Sequence, residues 1–370
     1  MKVLVVHVPA GSGHQRAAEA ITAAFHPLQA SAEVSLLDAL EGSDSSYQWA
    51  FTRGYLGFID SAPWLWGLLY HLTDLSVFSG PVHALHRFNN GWHGKDLERI
   101  FLDHRADVII GTHFFPMEVA GFLKSKGRLW ARLITVITDY LPHALWIAPA
   151  IDTYVVGSDE AKKSLLARGI PPDRIQVLGI PVDPRFSQPL NRDALQKRLG
   201  LDPGRFTLLV GAGGAGTGPV ISIVNALDRL NEPIQFLVVA GKNATLFEQL
   251  ETLRPRMHHP MKVYGFINNM EELMSVSDLF VTKPGGLSCA EAMAVGLPLL
   301  LLVPVPGQES RNAHFLEKTG TALVVKRPEE LTSLIEKLRM DRSRLQAMSR
   351  KGMEMGRPDA AIKIARMVVG

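Results

Sequence analysis

The chain opens on Val3-Leu4-Val5-Val6, an unbroken apolar run, and repeats that device along its length. Asp107 to Gly111, Leu133 to Thr138, Thr153 to Val156, Phe206 to Val210, Ile234 to Ala240 and Leu279 to Thr282 have the same character. A strand with one wet face alternates apolar and polar residues. A run without alternation belongs to a strand covered on both faces, as in a parallel sheet flanked by helices. Helical stretches separate the runs: Gln15 to Phe25, Asp159 to Arg168, and Val220 to Leu230. With Val34 to Asp38 as a second strand the chain starts βαβ, and βα units recur to the end. Residues 183–205, with Pro184, Pro189 and Pro203 and a short helix from Arg192 to Leu199, interrupt this rhythm and read as a joint. The fold expected is α/β: two doubly wound Rossmann-like domains facing a cleft, spanning residues 1–183 and 206–355, with 184–205 as linker and a final helix over 356–370.

Composition excludes several classes. A 370-residue chain with 46% hydrophobic and 20% charged residues is globular, with room for two domains. A net charge of +3 is too small to argue for nucleic acid, yet it permits attraction to an anionic membrane where basic residues cluster. The single cysteine, Cys289, rules out a disulfide framework and fits a reducing cytoplasm. No Cys/His spacing suits a metal. The apolar stretch Val295 to Val305 is broken by Pro298 and Pro304, so no membrane-spanning helix is expected. Met1-Lys2 and a short strand do not make a signal peptide.

Three loops concentrate polar and glycine residues at strand ends. Lys283-Pro284-Gly285-Gly286 leaves one apolar run, and Leu287 to Ala294 has helical composition closed by Gly296 and Pro298. A glycine turn feeding a helix N-terminus suits a diphosphate, Ser288 can add a donor, and Glu291 can take ribose hydroxyls. A plain strand–turn–helix satisfies Gly285-Gly286 equally well. The loop Pro304 to Ala313 follows the next strand with polar groups suited to sugar hydroxyls, among them Gln308, Glu309 and Asn312. The loop Gly211 to Gly218 has five glycines in eight residues, which implies close approach of its backbone to a diphosphate, with an ordinary mobile βα turn as the alternative.

These segments carry a family resemblance. KPGGLSCAEAMAVGLPLL followed by PGQESRNA resembles the nucleotide-sugar site of GT-B glycosyltransferases. Within them it is most similar to the diacylglycerol glycosyltransferases of the monogalactosyldiacylglycerol synthase type. The lipid II-forming N-acetylglucosaminyltransferase of peptidoglycan synthesis is a more distant relative. The resemblance implies a UDP-hexose donor held by Gly13, Gly213, Gly214, Ala215, Gly216, Gly265, Phe266, Pro284, Gly285, Gly286, Leu287, Ser288, Glu291, Gln308, Glu309 and Asn312. In that scheme the uracil lies under Gly265-Phe266, the ribose on Glu291, and the hexose on Gln308 and Glu309. It further implies that the C-terminal helix crosses back to the first domain.

The first half supplies the reacting groups. His14 follows the first strand, where open α/β sheets place ligands; a helix-capping histidine is the alternative. Asp139 ends another strand, as a carboxylate able to orient or deprotonate a nucleophile, or as a helix cap. Gly11-Ser12-Gly13-His14 resembles the family's N-terminal catalytic loop, whose histidine activates the acceptor hydroxyl, and Thr138-Asp139 followed by His143 and Trp146 resembles the same diacylglycerol branch. Residues 47–92 gather Trp49, Trp64, Trp66 and Trp92 among other aromatics and interspersed basic residues. That composition fits membrane-interface docking or packing between helices. By resemblance, Trp64, Trp66, His143 and Trp146 line the acceptor and membrane region.

The implied activity is inverting transfer of a hexose from a UDP-sugar to diacylglycerol, with no cofactor or metal, on the inner face of the cell membrane. The chain lacks the Asp-x-Asp pair of metal-dependent transferases. A transferase of this fold using a polyprenyl-linked or small acceptor, and a UDP-sugar epimerase, are the alternatives.

Overall fold

The structure, a computed structural model, describes residues 1–9, 12–28, 32–41, 63–74, 95–211, 213–302 and 305–370. Most of the aromatic stretch 47–92, including Trp49 and Trp92, lies outside the described residues, as do Ala10, Gly11 and Ala212. The chain divides into two compact units. One holds Met1–Pro184, Val305–Arg311 and Asp359–Gly370; the other holds Arg185–Pro304 and Asn312–Pro358.

The first unit is built on a six-stranded, wholly parallel sheet: β1 Lys2–His7, β2 Glu33–Asp38, β3 Val108–Gly111, β4 Arg132–Val136, β5 Thr153–Val156 and β6 Ile175–Val177. Their order is β2-β1-β3-β4-β5-β6. The missing alternation in the apolar runs has its reason here. Val3 and Val5 join one core cluster with Ile110, Ile134 and the helix Ser12–Phe25, whereas Leu4 and Val6 join the cluster on the other face with Phe101, Met117 and Leu123. Both pleat directions are dry, so both must be apolar.

The second unit repeats the plan with β7 Phe206–Gly211, β8 Ile234–Val239, β9 Met261–Tyr264, β10 Leu279–Thr282, β11 Leu299–Leu301 and β12 Ala322–Val324. All pairs are parallel, in the order β12-β11-β10-β7-β8-β9. Each sheet reverses its winding once, between β1 and β3 and between β7 and β10. Strand-end loops separate there and leave a crevice at the carboxyl edge.

Some boundaries differ from the sequence expectation. The first helix begins at Ser12, so Gly13 and His14 stand in its first turn. The stretch expected as a linker is structured in the second unit: helix Arg192–Arg198 packs on helix Met270–Val276. There Arg192 pairs with Asp278 at 2.7 Å and Arg198 with Glu272 at 2.6 Å. Proline spacing alone does not reveal these pairs, whose partners lie some eighty residues away. The last helix, Ala360–Val369, lies in the first unit against helix Ser12–Phe25. Ile364, fully buried there, anchors it. Ile364→Ala is expected to cost the first unit about 2–5 kcal/mol, read as a lowered denaturation midpoint.

Candidate functional site

At the carboxyl edge of the first sheet, three histidines gather beside the β1/β3 crevice: His7 ends β1, His14 follows it, and His113 follows β3. The His14 ring is tied to the neighbouring strand end. Its Nδ1 lies 2.7 Å from the Thr112 carbonyl and 3.2 Å from Thr138 Oγ1, while Thr112 Oγ1 donates back to the His14 carbonyl at 2.8 Å. A carbonyl only accepts, so the proton of the neutral ring sits on Nδ1 and Nε2 carries the lone pair. Burial lowers the His14 pKa from its usual 6.5, and the nearby Asp139 carboxylate opposes that shift. His113 is pushed well below 6.5 by burial and by its histidine neighbours.

The other two histidines are wired differently. His113 Nδ1 accepts the Phe115 N–H at 3.1 Å and caps helix Phe114–Ser125. His143 Nδ1 accepts the Leu145 N–H at 3.1 Å and caps the turn Ala144–Trp146, leaving its Nε2–H for the Tyr70 carbonyl at 2.9 Å. Both are caps by geometry; His14 is not. Trp146 is buried and meets the His14, His113 and Phe114 rings at 6.1–6.4 Å. Asp139 is buried too and accepts from the Gln308 side-chain amide.

Segment 305–311 belongs to this unit. Glu309 turns inward to the Val305 N–H at 3.3 Å, and Arg311 pairs with Asp74 at the end of helix Pro63–Asp74. On that helix Trp64 is exposed and Trp66 half-buried. The sequence reading missed Thr112, Thr138, Asp74 and Arg311. Thr112 and Thr138 were legible only as polar tips of apolar runs, and nothing local marks Asp74 or Arg311.

In the second unit Gly213 to Gly216 follow β7 and Pro284 to Glu291 follow β10, on either side of the β7/β10 crevice, while Gly265 and Phe266 follow the edge strand β9. Gly285 leads helix Gly286–Ala294, which carries Leu287, Ser288 and a buried Glu291. The helix ends in a Schellman turn: Leu297 N–H bonds the Ala292 carbonyl at 2.8 Å, and Gly296, at φ +67°, bonds Met293 at 3.1 Å. Asn312 is buried and donates to the Pro284 carbonyl at 3.2 Å, which steadies the turn. Lys242 Nζ stands 5.1 Å from the ring of the exposed Phe266, next to Gly265.

The glycines divide into two kinds. Gly216 (φ +71°) and Gly241 (φ +62°) press two strand-end turns together. A Cβ on Gly216 would fall 2.2 Å from the Ala240 carbonyl oxygen, and one on Gly241 would fall 2.6 Å from that of Gly213. Asn243 Nδ2 to Gly216 O at 2.9 Å and Lys242 N to Gly214 O at 3.0 Å seal the junction around Ala215. At Gly216 the close neighbour is thus another turn. Gly285 is different: its φ is −71°, and an added Cβ meets no described atom within 4 Å. Among the described residues nothing demands glycine there.

Matches to known proteins follow the same division. The family described as Monogalactosyldiacylglycerol (MGDG) synthase matches residues 14–182, and the Glycosyltransferase family 28 C-terminal domain matches residues 207–364. A Bacillus cereus (strain AH187) protein named processive diacylglycerol beta-glucosyltransferase is 32% identical over 276 residues, which cover 74% of this chain and 70% of that one. The chain belongs to this glycosyltransferase family. A relative of the same name from Bacillus pumilus (strain SAFR-032) is 35% identical over 254 residues, 69% of this chain. That match spans 66% of the relative's own length, just under two thirds. The solved structure of MurG from Acinetobacter baumannii, 16% identical, aligns with a TM-score of 0.63 over 100% of this chain and 99% of that one, a likeness of fold. Within the family's two matched regions fall His14, Asp139, His143 and Trp146 on one side and Gly213 to Asn312 on the other.

The two kinds of glycine separate experimentally. Gly216→Ala is expected to destabilise the second unit by roughly 1–3 kcal/mol, through backbone strain and the clash with Ala240. Gly285→Ala is expected to leave its unfolding within about 0.5 kcal/mol of the parent in a denaturant titration.

Proposed function

We propose that the chain is an inverting, metal-independent glycosyltransferase that moves a hexose from a UDP-sugar to diacylglycerol while bound peripherally to the inner face of the cell membrane. The observation that carries this reading is the His14 ring. Its Nδ1–H is committed to Thr112, so Nε2 is the basic nitrogen, and burial lowers the ring's pKa, which favours the neutral form. A neutral imidazole with a defined lone pair is suited to take a hydroxyl proton.

In the proposed step the acceptor oxygen bonds the anomeric carbon as the bond from that carbon to the diphosphate oxygen breaks, and the hydroxyl proton passes to His14 Nε2. Asp139 stabilises the imidazolium so formed, in keeping with its upward pull on the His14 pKa. UDP leaves with the electron pair. The N-terminus of helix Gly286–Ala294 offers backbone N–H groups and a positive dipole end to that developing charge. The lack of an internal reason for glycine at Gly285 supports close approach of a diphosphate. The name of the Bacillus relatives supports diacylglycerol as acceptor and glucose as the hexose to try first. Among the described residues no helix is long and apolar enough to cross a membrane, and helix Pro63–Asp74 offers Trp64 to an interface.

The test is to incubate the purified protein with diacylglycerol-containing vesicles and each common UDP-hexose, following released UDP and new glycolipid by mass spectrometry. Glycolipid from one donor is expected. UDP release without glycolipid would move the acceptor elsewhere, and a free epimerised sugar would make the protein an epimerase.

The pH profile gives a second check. His14 must be neutral to act, and burial lowers its pKa, so the acid limb of the rate profile should lie at lower pH than an ordinary histidine would set. Asp139→Asn removes the group that raises this pKa, so the acid limb should shift to still lower pH. His14→Ala should lower kcat by roughly 10²–10⁴-fold. Gly285→Ala should raise the donor KM with little change in stability.

A further inference from the structure

Helix Pro63–Asp74 has two faces with different business. Trp64, Leu68, Leu69 and Leu72 are 70%, 50%, 41% and 38% exposed, an apolar stripe at spacings of four, five and eight. The opposite face, at Gly67, Tyr70 and Asp74, rests on segment 305–311. A Cβ on Gly67 would sit 2.5 Å from Pro306 Cβ, so only glycine lets the two backbones approach. Gly307, at φ +110°, is pressed against Trp66 and Tyr70, with 3.1 Å from its ideal Cβ position to Trp66 Nε1. The Arg311 guanidinium lies 5.1 Å from the Tyr70 ring centroid and forms an ion pair with Asp74.

Asp74 is where three chain segments meet. It also takes Arg168 Nη2 at 2.8 Å and the Ala144 N–H at 2.8 Å, with His143 Nε2 at 3.8 Å. Burial alone would raise its pKa, yet the hydrogen bonds from Arg311 and Ala144 hold the carboxyl below its usual range, so it stays charged. Arg311 lies one turn beyond Gln308 on helix Gln308–Lys318, and residues three apart share a face. Anchoring Arg311 therefore sets the rotation of that first turn, and with it the aim of the Gln308 amide at Asp139.

We infer that Asp74 and Arg311 are positioning residues that transmit the seating of helix Pro63–Asp74 on a lipid surface to the first turn of helix Gln308–Lys318, and so to the Gln308 amide on Asp139. The inference rests on the membrane reading proposed above for that helix. It adds a mechanical link: a bilayer that takes the Trp64–Leu72 stripe also fixes residues placed next to the reacting carboxylate. Neither residue need touch substrate for this.

Hydrogen–deuterium exchange on the full chain tests it directly, with and without dioleoylphosphatidylglycerol vesicles. In the wild type the amides of 305–311 should exchange roughly threefold or more slowly with vesicles present. That response should vanish in Asp74→Asn and Arg311→Gln and survive in part in Arg311→Lys, which keeps the charge. Vesicle binding by sedimentation should stay within about twofold for all of them, because the stripe is untouched. In glucosyl transfer to vesicle-borne diacylglycerol, Asp74→Asn should lower kcat about tenfold with donor KM nearly constant. An equal exchange response in wild type and Asp74→Asn overturns the link, as does loss of vesicle binding in step with loss of the response. Should the wild type show the exchange response but no transfer with any UDP-hexose, the link stands and the proposed activity falls.

Discussion

The bond from His14 Nδ1 to the Thr112 carbonyl depends on the order of the first sheet. His14 follows β1 and Thr112 follows β3, with nearly a hundred residues between them. They meet because β1 takes β2 on one side and β3 on the other, so its carboxyl end opens onto the single crevice in the sheet. One contact settles the tautomer and lowers the freedom of the ring. Desolvation in the crevice lowers its pKa, which favours the neutral form. A histidine at the same point of the chain but over an unbroken part of the sheet would have no strand end to lean on.

The second unit shows the same logic with backbone instead of side chains. Its crevice between β7 and β10 is walled by two kinds of glycine. Gly216 and Gly241 are there because two turns touch and both need positive φ, which an L side chain rarely adopts. Gly285 answers no such need among the described residues, and it stands at the N-terminus of a well-closed helix. Sequence shows a glycine in each case; only packing tells a structural glycine from one that leaves room for something else.

The apolar runs were legible because a strand buried on both faces has no freedom to alternate, and this requirement is local. The strand-end positions of His14, Asp139 and Gly285 followed from it, since the loops after such strands are where polar residues can sit. The ends of the elements were less legible. Helix Ser12–Phe25 starts earlier than its apolar pattern suggests, and residues 185–205 are held by Arg192–Asp278 and Arg198–Glu272, pairs that no local pattern announces. His143 and Trp146 were legible as a loop motif, but their burial and the capping role of His143 were not.

By itself the sequence determined the α/β class, the two-fold repetition of the plan and the strand ends that carry chemistry, because these follow from side-chain period and glycine turns within a few residues. Tertiary structure alone decided which histidine bears its lone pair on Nε2, which glycine is free of internal demands, and that Asp74, Arg168 and Arg311 share one node. Those outcomes depend on carbonyls, cations and backbones brought together across tens to hundreds of residues, and strand order rather than local preference brings them there.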